Sequence, residues 1–475
     1  MSGPEPAERI VPQHLLLVLP STGEFDSRSW RIARTLIARG HTVTMLARWK
    51  DGLPLEEHNP LGFRLLRIRA SAQDGMPFKG VVRAGRVVVR RIHALRTRTP
   101  YRPPELPRIE DDGPPPPPPV AGSTSAVRAG AADSPAVTAK RVPLHRRAWG
   151  GLQRRTAIPL TIRSHQKNAV RVAPSGDLYH GMAFMGIPVA LDLGKRDGKP
   201  VVYDARDIYL NARNLARMGR PARWFLGRLE RGWAKRSSRV VTVNEAYADV
   251  MGSRWPVERP LVVMNCSFRY TPASPRERRF HEHLGLDPAE KVVLYHGGLF
   301  PWRGIEQLIE AIALVPGATL VLMGYGILEP TLKAWEADPA TGGRVRVMGA
   351  VPPDQLHDWV AAADVAAMPI QGDTLNHRLT TPQKLFEAMA AGVPAVVSDL
   401  PGMRAIVRDS GSGILVDPTD TKAIAAAIRQ IVELPDDEWL AWRQRCLAAA
   451  HDRYNWETQV EALLTEYGRL TGKPW

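Results

Sequence analysis

Short, nearly continuous apolar runs alternate with amphipathic segments along most of the chain. HLLLVLP (14–20) reads as a strand buried on both faces, and STGEFDSRS as the loop that follows it. In WRIARTLIARG, Trp30, Ala33, Leu36 and Ile37 recur at helical spacing, and Gly40 falls where a left-handed cap belongs. HTVTMLAR then restarts as a strand, which makes a βαβ unit of a parallel sheet with a right-handed crossover. The rhythm returns in DLYHGMAF, PVVYDARD, RVVTVNEA and PLVVMNCS, ending near Cys266. A second series starts at KVVLYHGG (291–298), continues into a helix with Ile305, Leu308, Ile309 and Ile312 on one face, and runs through TLVLMG, VRVMGA, DVAAMPI and PAVVSD. WETQVEALLTEYGRL, with Val460, Leu463, Leu464 and Tyr467 at helical spacing, closes the chain. The pattern predicts an α/β chain of two doubly wound Rossmann-like domains, residues 1–270 and 275–454, with 455–475 packing back on the first. A ligand is expected in the cleft facing the carboxyl ends of both sheets.

The first domain is interrupted at 99–145 by PYRPPELP, six consecutive prolines (114–119) and a Gly, Ser and Ala tract. That composition buries too little apolar surface to offset its ordering entropy, so it is expected to be a disordered insertion or a proline-rich ligand for a partner. Just before it, VVRAGRVVVRRIHALRTR (81–98) places Val81, Val82, Val88, Val89, Ile92 and Leu95 in one arc, with Arg83, Arg86 and Arg90 opposite. Such a helix fits either packing on its own sheet or lying on an anionic bilayer.

Charge sharpens this picture. The 475 residues carry 64 Lys or Arg against 48 Asp or Glu, and residues 81–171 alone carry 18 against 5, leaving an excess of only about 3 elsewhere. A uniformly basic nucleic-acid coat is excluded, and no aromatic-interleaved or helix-turn-helix pattern accompanies the charge. Inner-leaflet attraction through 81–171 is the expectation instead. Cys266 and Cys446 cannot form a disulfide framework, and MSGPEPAERI lacks the basic start and apolar core of a signal peptide. The longest apolar run, Ala311 to Leu328, is broken by Pro316, Gly317, Gly324 and Gly326, so a cytoplasmic location without a membrane span is expected.

The most informative stretch is TPQKLFEAMAAGVPAVVSD (381–399). Thr381 suits an N-cap and Pro382 a first helical position, so a helix should begin there with unpaired amides that favour an anion. Lys384 adds a full charge in the first turn and Glu387 follows one turn later. A diphosphate would meet Lys384 while Glu387 accepts ribose hydroxyls; the plain alternative is a solvated ion pair three residues apart.

Here the sequence resembles the GT-B glycosyltransferases of family 4, which carry a similar P-x-K-L-x-E-x-M-A-A-G-x-P segment. The resemblance extends over YHGGLFPWRGIEQLIEA (295–311), MGYGILEP (323–330), FDSRSWRIARTLIARGHTVT and the pair DLYH and VVYDARD, which is most of the chain outside the insertion. It implies a GT-B fold and a metal-independent, retaining transfer from a nucleotide sugar, a UDP- or GDP-sugar, bound mainly by the C-terminal domain. It also implies a glycan or lipid-linked acceptor handled by a basic N-terminal domain at the inner face of the plasma membrane, in cell-surface polysaccharide or glycolipid assembly.

Carried over residue by residue, Glu387 matches the family's ribose-binding glutamate, with Leu385 beside it, whereas the earlier glutamate of the pair falls on Leu379. Asn376 and Asp373 are the substitutes nearest to hand. Of the family's phosphate-binding Arg and Lys pair, the first position is Gly298 and the second Arg303, so Arg303 and Lys384 are expected to neutralise the departing diphosphate. Gly324 and Gly326 (GYG) fall on the nucleotide side. On the N-terminal domain, Gly23 belongs to the cleft loop, and Asp26 and Arg28 resemble a D-x-R loop on the phosphate or acceptor side, with a surface ion pair as the plain alternative. His180 matches the first histidine of an H-x-H pattern whose second is Met182, and it reads either as catalytic or as a hydrogen-bonded structural residue. Asp204-Ala205-Arg206-Asp207 stands for the family's D-x-H-E, placing Asp207 on the acceptor side. These departures leave a second reading open, a catalytically degenerate GT-B scaffold that binds nucleotide. HEHLG (281–285) is not a zinc H-E-x-x-H, and D-x-D is absent, so no metal is expected.

Overall fold

A computed structural model describes residues 11–24, 26–70, 160–212, 215, 218–272 and 277–475. The proline-rich insertion expected at 99–145 and the basic helix at 81–98 lie outside the described residues, as does most of 81–171. Residues 1–69 and 166–475 form one compact unit; of the other, 70–165, only 70 and 160–165 are described.

The first sheet is built from β1 (His14–Val18), β2 (Thr42–Arg48), β3 (Glu56–His58), β4 (Arg64–Ile68), β5 (Leu178–Met182), β6 (Val201–Asp204), β7 (Arg239–Thr242) and β8 (Leu261–Val262), in the order β3-β4-β2-β1-β5-β6-β7-β8. All neighbours pair in parallel except β3 with β4. After His14 the strand is apolar because β1 lies mid-sheet and is covered on both faces, and Leu15 to Val18 are fully buried. Helix α1 (Ser27–Ala38) starts at Asp26, whose carboxylate accepts from Ser29 N at 3.2 Å. The connections also include α2 (Ala183–Asp197), which leaves β5 without a loop, α3 (Arg220–Arg236) and α4 (Glu245–Arg254).

The second sheet comprises β9 (Lys291–Gly298), β10 (Ala318–Tyr325), β11 (Val345–Met348), β12 (Val365–Met368), β13 (Ala395–Ser398) and β14 (Gly413–Val416), ordered β11-β10-β9-β12-β13-β14. Written by rank within the domain this is 3-2-1-4-5-6, the Rossmann order, which puts the topological switch point between β9 and β12. Helix α5 (Ile305–Ile312) follows β9; α6 (Leu375–Leu379) and α7 (Gln383–Ala391) follow β12. The last helix, α8 (Trp456–Thr471), inserts Trp456, Val460, Leu463, Leu464 and Tyr467 into the core of the first sheet beside Leu15, Leu17 and Met45. Its N-cap is Asn455, which accepts from Thr458 N at 2.8 Å.

Two details differ from the pattern. Helix α7 starts one residue later than expected: Pro382 is the cap, and Thr381 instead donates to Gly402 O and accepts from Asn244. Strand β4 was hidden by Arg67, a charge that breaks the apolar run. In the fold that guanidinium is satisfied by Thr22 O, Pro54 O and the Glu57 carboxylate at 2.9–3.0 Å.

Candidate active site

The switch point of the second sheet gathers the chemistry. β9 ends in His296, Gly297 and Gly298, the loop beyond it carries Arg303, and α7 starts alongside. Lys384, in the first turn of α7, folds its Nζ 3.6 Å above the Tyr295 ring, beside Gly297, where it is shut away from solvent and meets no hydrogen-bond acceptor among the described residues. Burial and the nearby Arg303 guanidinium push its pKa well below the usual lysine range, with Glu387 opposing. An ammonium desolvated in this way is short of an anionic partner.

Glu387 does not fill that role. Its carboxylate, 6% exposed, is bonded at 2.9 Å to His296 Nε2 and accepts at 2.6 Å from Gln383 Nε2. Burial would raise its pKa, but His296, His357 and Gln383 outweigh it and hold the carboxyl down at about 2. The solvated Lys384–Glu387 pair is therefore not formed. Each Glu387 oxygen keeps acceptor capacity for a hydroxyl.

His296 and Gln383 were not singled out in the sequence, although both lie inside segments that were. Gln383 also reaches the first domain: its Oε1 accepts from Ser27 Oγ (2.8 Å), Asn265 Nδ2 (3.0 Å) and Arg31 Nη2 (3.4 Å). Arg31 is bonded to Asn265 as well, and burial brings its pKa down to about 10. One amide thus links the donor-side carboxylate to α1 and the segment after β8.

Asn376, expected as a donor contact, is occupied elsewhere. Its Oδ1 accepts from Ile208 N and Tyr247 OH, both at 2.8 Å, and its Nδ2 donates to Asp207 at 2.9 Å, so it pins α6 to the first domain. Burial raises the Asp207 pKa against that hydrogen bond. Asn376→Ala would leave Asp207 and the Ile208 amide short of partners, while Tyr247 OH keeps the Asn376 backbone carbonyl, and is expected to destabilise the protein by about 1–3 kcal/mol in urea unfolding. Asp373 is bonded to His377 at 2.6 Å.

Other expected residues fall away from the cleft. His180 and Arg28 have no exposed surface. Arg28 Nε meets Asp204 at 2.6 Å and its Nη1 donates to Val263 O, while His180 lies between Asp204 (Nε2, 3.2 Å) and Tyr467 OH (Nδ1, 2.5 Å). Burial lowers the His180 pKa, which keeps the ring neutral, and Arg28 and His180 overcome burial to hold Asp204 far below the carboxylate range. This buried cluster locks β5 and β6 to α1 and α8. Asp26 pairs with Arg206 at 2.9 and 3.1 Å rather than with Arg28, so the arginine that replaces the family's histidine braces the D-x-R loop.

The Leu385 side chain is fully buried in the second core. Gly324 and Gly326 are required locally: a Cβ would stand 1.9 Å from Gly297 O in one case and 2.2 Å from Leu299 O in the other. Gly298 O accepts from Tyr295 OH at 2.8 Å and Gly23 O from Trp30 Nε1 at 2.8 Å, each fixing a strand-end loop. The structure thus brings Lys384, Arg303, Gly298 and Glu387 together at the second switch point, and leaves His180, Arg28 and Leu385 in the cores.

Two parallel-sheet Rossmann-like domains with this site at the end of the second define a GT-B protein. Residues 290–433 match the model of the family described as glycosyl transferases group 1. D-inositol 3-phosphate glycosyltransferase of Segniliparus rotundus is 31% identical over 192 residues, 39% of this chain and 41% of that protein. The enzyme of the same name from Mycobacterium marinum is 30% identical over 196 residues, 40% of each. The chain therefore spans about two fifths of the length of these relatives. Sucrose-phosphate synthase from Thermosynechococcus elongatus superposes with a TM-score of 0.65 at 17% identity, covering 97% of this chain and 99% of that one. Anabaena HepE in complex with UDP and glucose gives 0.62 at 18%, covering 96% and 100%. At these identities the two structures establish the fold.

Proposed function

We propose that the chain is a retaining glycosyltransferase that takes its sugar from a nucleoside-diphosphate donor, a UDP- or GDP-sugar, held at the second switch point. The observation that carries this reading is the buried, acceptorless ammonium of Lys384 beside Arg303 at the start of α7, one turn from an ionised Glu387. The two cations receive the diphosphate, and Glu387, oriented by His296 and Gln383, receives the ribose. That solved HepE structures hold UDP and UDP-glucose is in keeping with this donor class.

In the transfer, the acceptor hydroxyl oxygen bonds to the anomeric carbon as the bond from that carbon to the diphosphate oxygen breaks. The electron pair goes to the diphosphate, and the acceptor proton passes to the departing phosphate oxygen on the same face. Lys384 and Arg303 stabilise the growing charge. No imidazole is needed for this route, which accords with His180 lying in the core.

The acceptor is read as a glycan or a lipid-linked sugar at the cytoplasmic membrane face. No helix among the described residues is long and apolar enough to cross a membrane, so contact would be peripheral. The similarity to an inositol 3-phosphate enzyme and a sucrose-phosphate synthase favours a second acceptor reading, a small phosphorylated polyol or sugar. Mass spectrometry of products from both acceptor classes separates the two.

Lys384 supplies a test of the donor site that needs no acceptor. Its pKa is depressed in the free protein and rises once a diphosphate supplies the missing charge, so binding between those two values takes up a proton. Calorimetric titration with UDP or GDP over a series of pH values below the usual lysine range, in buffers of different ionisation enthalpy, is expected to show net proton uptake. Lys384→Gln removes it; uptake that persists in the variant rules this assignment out.

A further inference from the structure

The outer face of α3 takes part in neither the core nor the donor site. At 100° per residue, Leu226, Glu230, Trp233 and Ala234 turn inward, and all four are buried. On the opposite side Trp224, Phe225, Arg228, Arg231, Lys235 and Arg236 fall within an arc of about 140°. Trp224 is 67% exposed and Phe225 50%, neighbours at the crest of the helix. The helix carries one carboxylate, Glu230, and it is buried against Tyr203 OH at 2.9 Å, so no acid interrupts the outer face. The Arg228 guanidinium lies 5.9 Å from the Trp224 ring centre, which makes the aromatic and cationic groups one patch.

At the N-terminal end of α3, Arg220, Arg223 and Arg254 line a hollow of about 370 Å³. Arg223 Nε is buried there with no hydrogen-bond partner among the described residues. A guanidinium donor in that position is suited to a phosphate oxygen.

Charge decides what covers this face. A second copy would bring the same cations against themselves, which disfavours association. An anionic bilayer meets every feature: an amphipathic indole and an apolar phenyl ring at the level of the headgroups, long basic side chains reaching lipid phosphates around them, and no carboxylate on this face of the helix to repel the surface. We propose that the outer face of α3 docks on an anionic lipid bilayer, with Trp224 and Phe225 entering the interface and lipid phosphates held by the surrounding arginines. The contact is separate from segment 81–171 and does not depend on the transferase reading.

The test is flotation of the full chain with vesicles of phosphatidylcholine alone and with phosphatidylglycerol added, at low and high salt. The wild type is expected to float with the anionic vesicles and to be released by salt. Arg228→Gln/Arg231→Gln is expected to weaken partition about 30-fold, at the usual contribution of each basic residue near a charged surface. Trp224→Ser/Phe225→Ser is expected to lose binding to a similar degree. Thermal unfolding reports that both variants, altered only on the surface, remain folded. Undiminished flotation of both variants, equal binding to neutral vesicles, capture of an RNA oligonucleotide in place of vesicles, or concentration-dependent dimerisation abolished by the variants would each overturn the proposal. None of these readouts requires a nucleotide or an acceptor, so the result stands apart from the fate of the donor-site assignment.

Discussion

Lys384→Ala is expected to make the ligand-free protein more stable while slowing sugar transfer by on the order of 10²–10³-fold. The two effects share one cause. In the free protein Nζ is desolvated without an acceptor among the described residues, and the Tyr295 ring beneath it returns roughly 2 kcal/mol, less than an unpaired buried ammonium costs. Alanine removes that penalty, so scanning calorimetry should show a higher melting temperature, by a few degrees for each kcal/mol regained. During transfer the same ammonium faces a diphosphate gaining charge in a shielded site, and its loss is felt mostly at the transition state. A surface lysine would give neither result, and an ordinary structural lysine would give a lower melting temperature. A variant that melts earlier and transfers normally contradicts the assignment.

The largest loss of stability is expected from Asp204→Ala. Among the described residues Asp204 is the only carboxylate hydrogen-bonded to Arg28 or His180, and all three are fully buried. Removing it leaves a guanidinium uncompensated in the core, at a cost of about 3–5 kcal/mol in urea unfolding. The pH dependence has a definite sign. The folded-state pKa of Asp204 lies below its unfolded value near 4, so its contribution is complete above about pH 4 and is lost as pH falls toward the folded value. The wild type should therefore lose stability on acidification more steeply than the variant. A cost below about 1 kcal/mol, or identical acid limbs, would show that the cluster is not what secures β5 and β6.

The fold was legible because its signals are local. Fully covered parallel strands must be apolar along their length, and β1 and β9 are; helices laid on a sheet must show a stripe, as Ile305, Leu308 and Ile312 do. Strand β4 escaped because the partners that make Arg67 acceptable come from Thr22, Pro54 and Glu57, three separate places in the chain. The candidate site was legible in part for a similar reason. Lys384 and Glu387 share one helix, so their spacing alone places them side by side.

Partnership between distant residues was not legible. Nothing near Glu387 in sequence announces that His296, on β9, takes its carboxylate, or that Gln383 ties it to Ser27 and Asn265. That Asn376 and His180 are engaged in buried networks could not be read from the sequence, for a common reason. A polar side chain at a strand or helix end satisfies a cleft position and a buried network equally well until its partners are known. For His180 those partners are Asp204 and Tyr467, the second contributed by the last helix of the chain.

The central claim is that one nucleoside diphosphate binds across Lys384 and Glu387. The most direct measurement is a thermal-shift panel of UDP, GDP and ADP with the wild type and Glu387→Ala. A ligand at about 100 times its Kd adds roughly 2.7 kcal/mol, enough for a clear shift. The account predicts that one base stabilises the wild type and that the shift collapses in Glu387→Ala. An undiminished shift in the variant, or no shift with any nucleotide, would contradict it and favour a GT-B scaffold that has lost its donor.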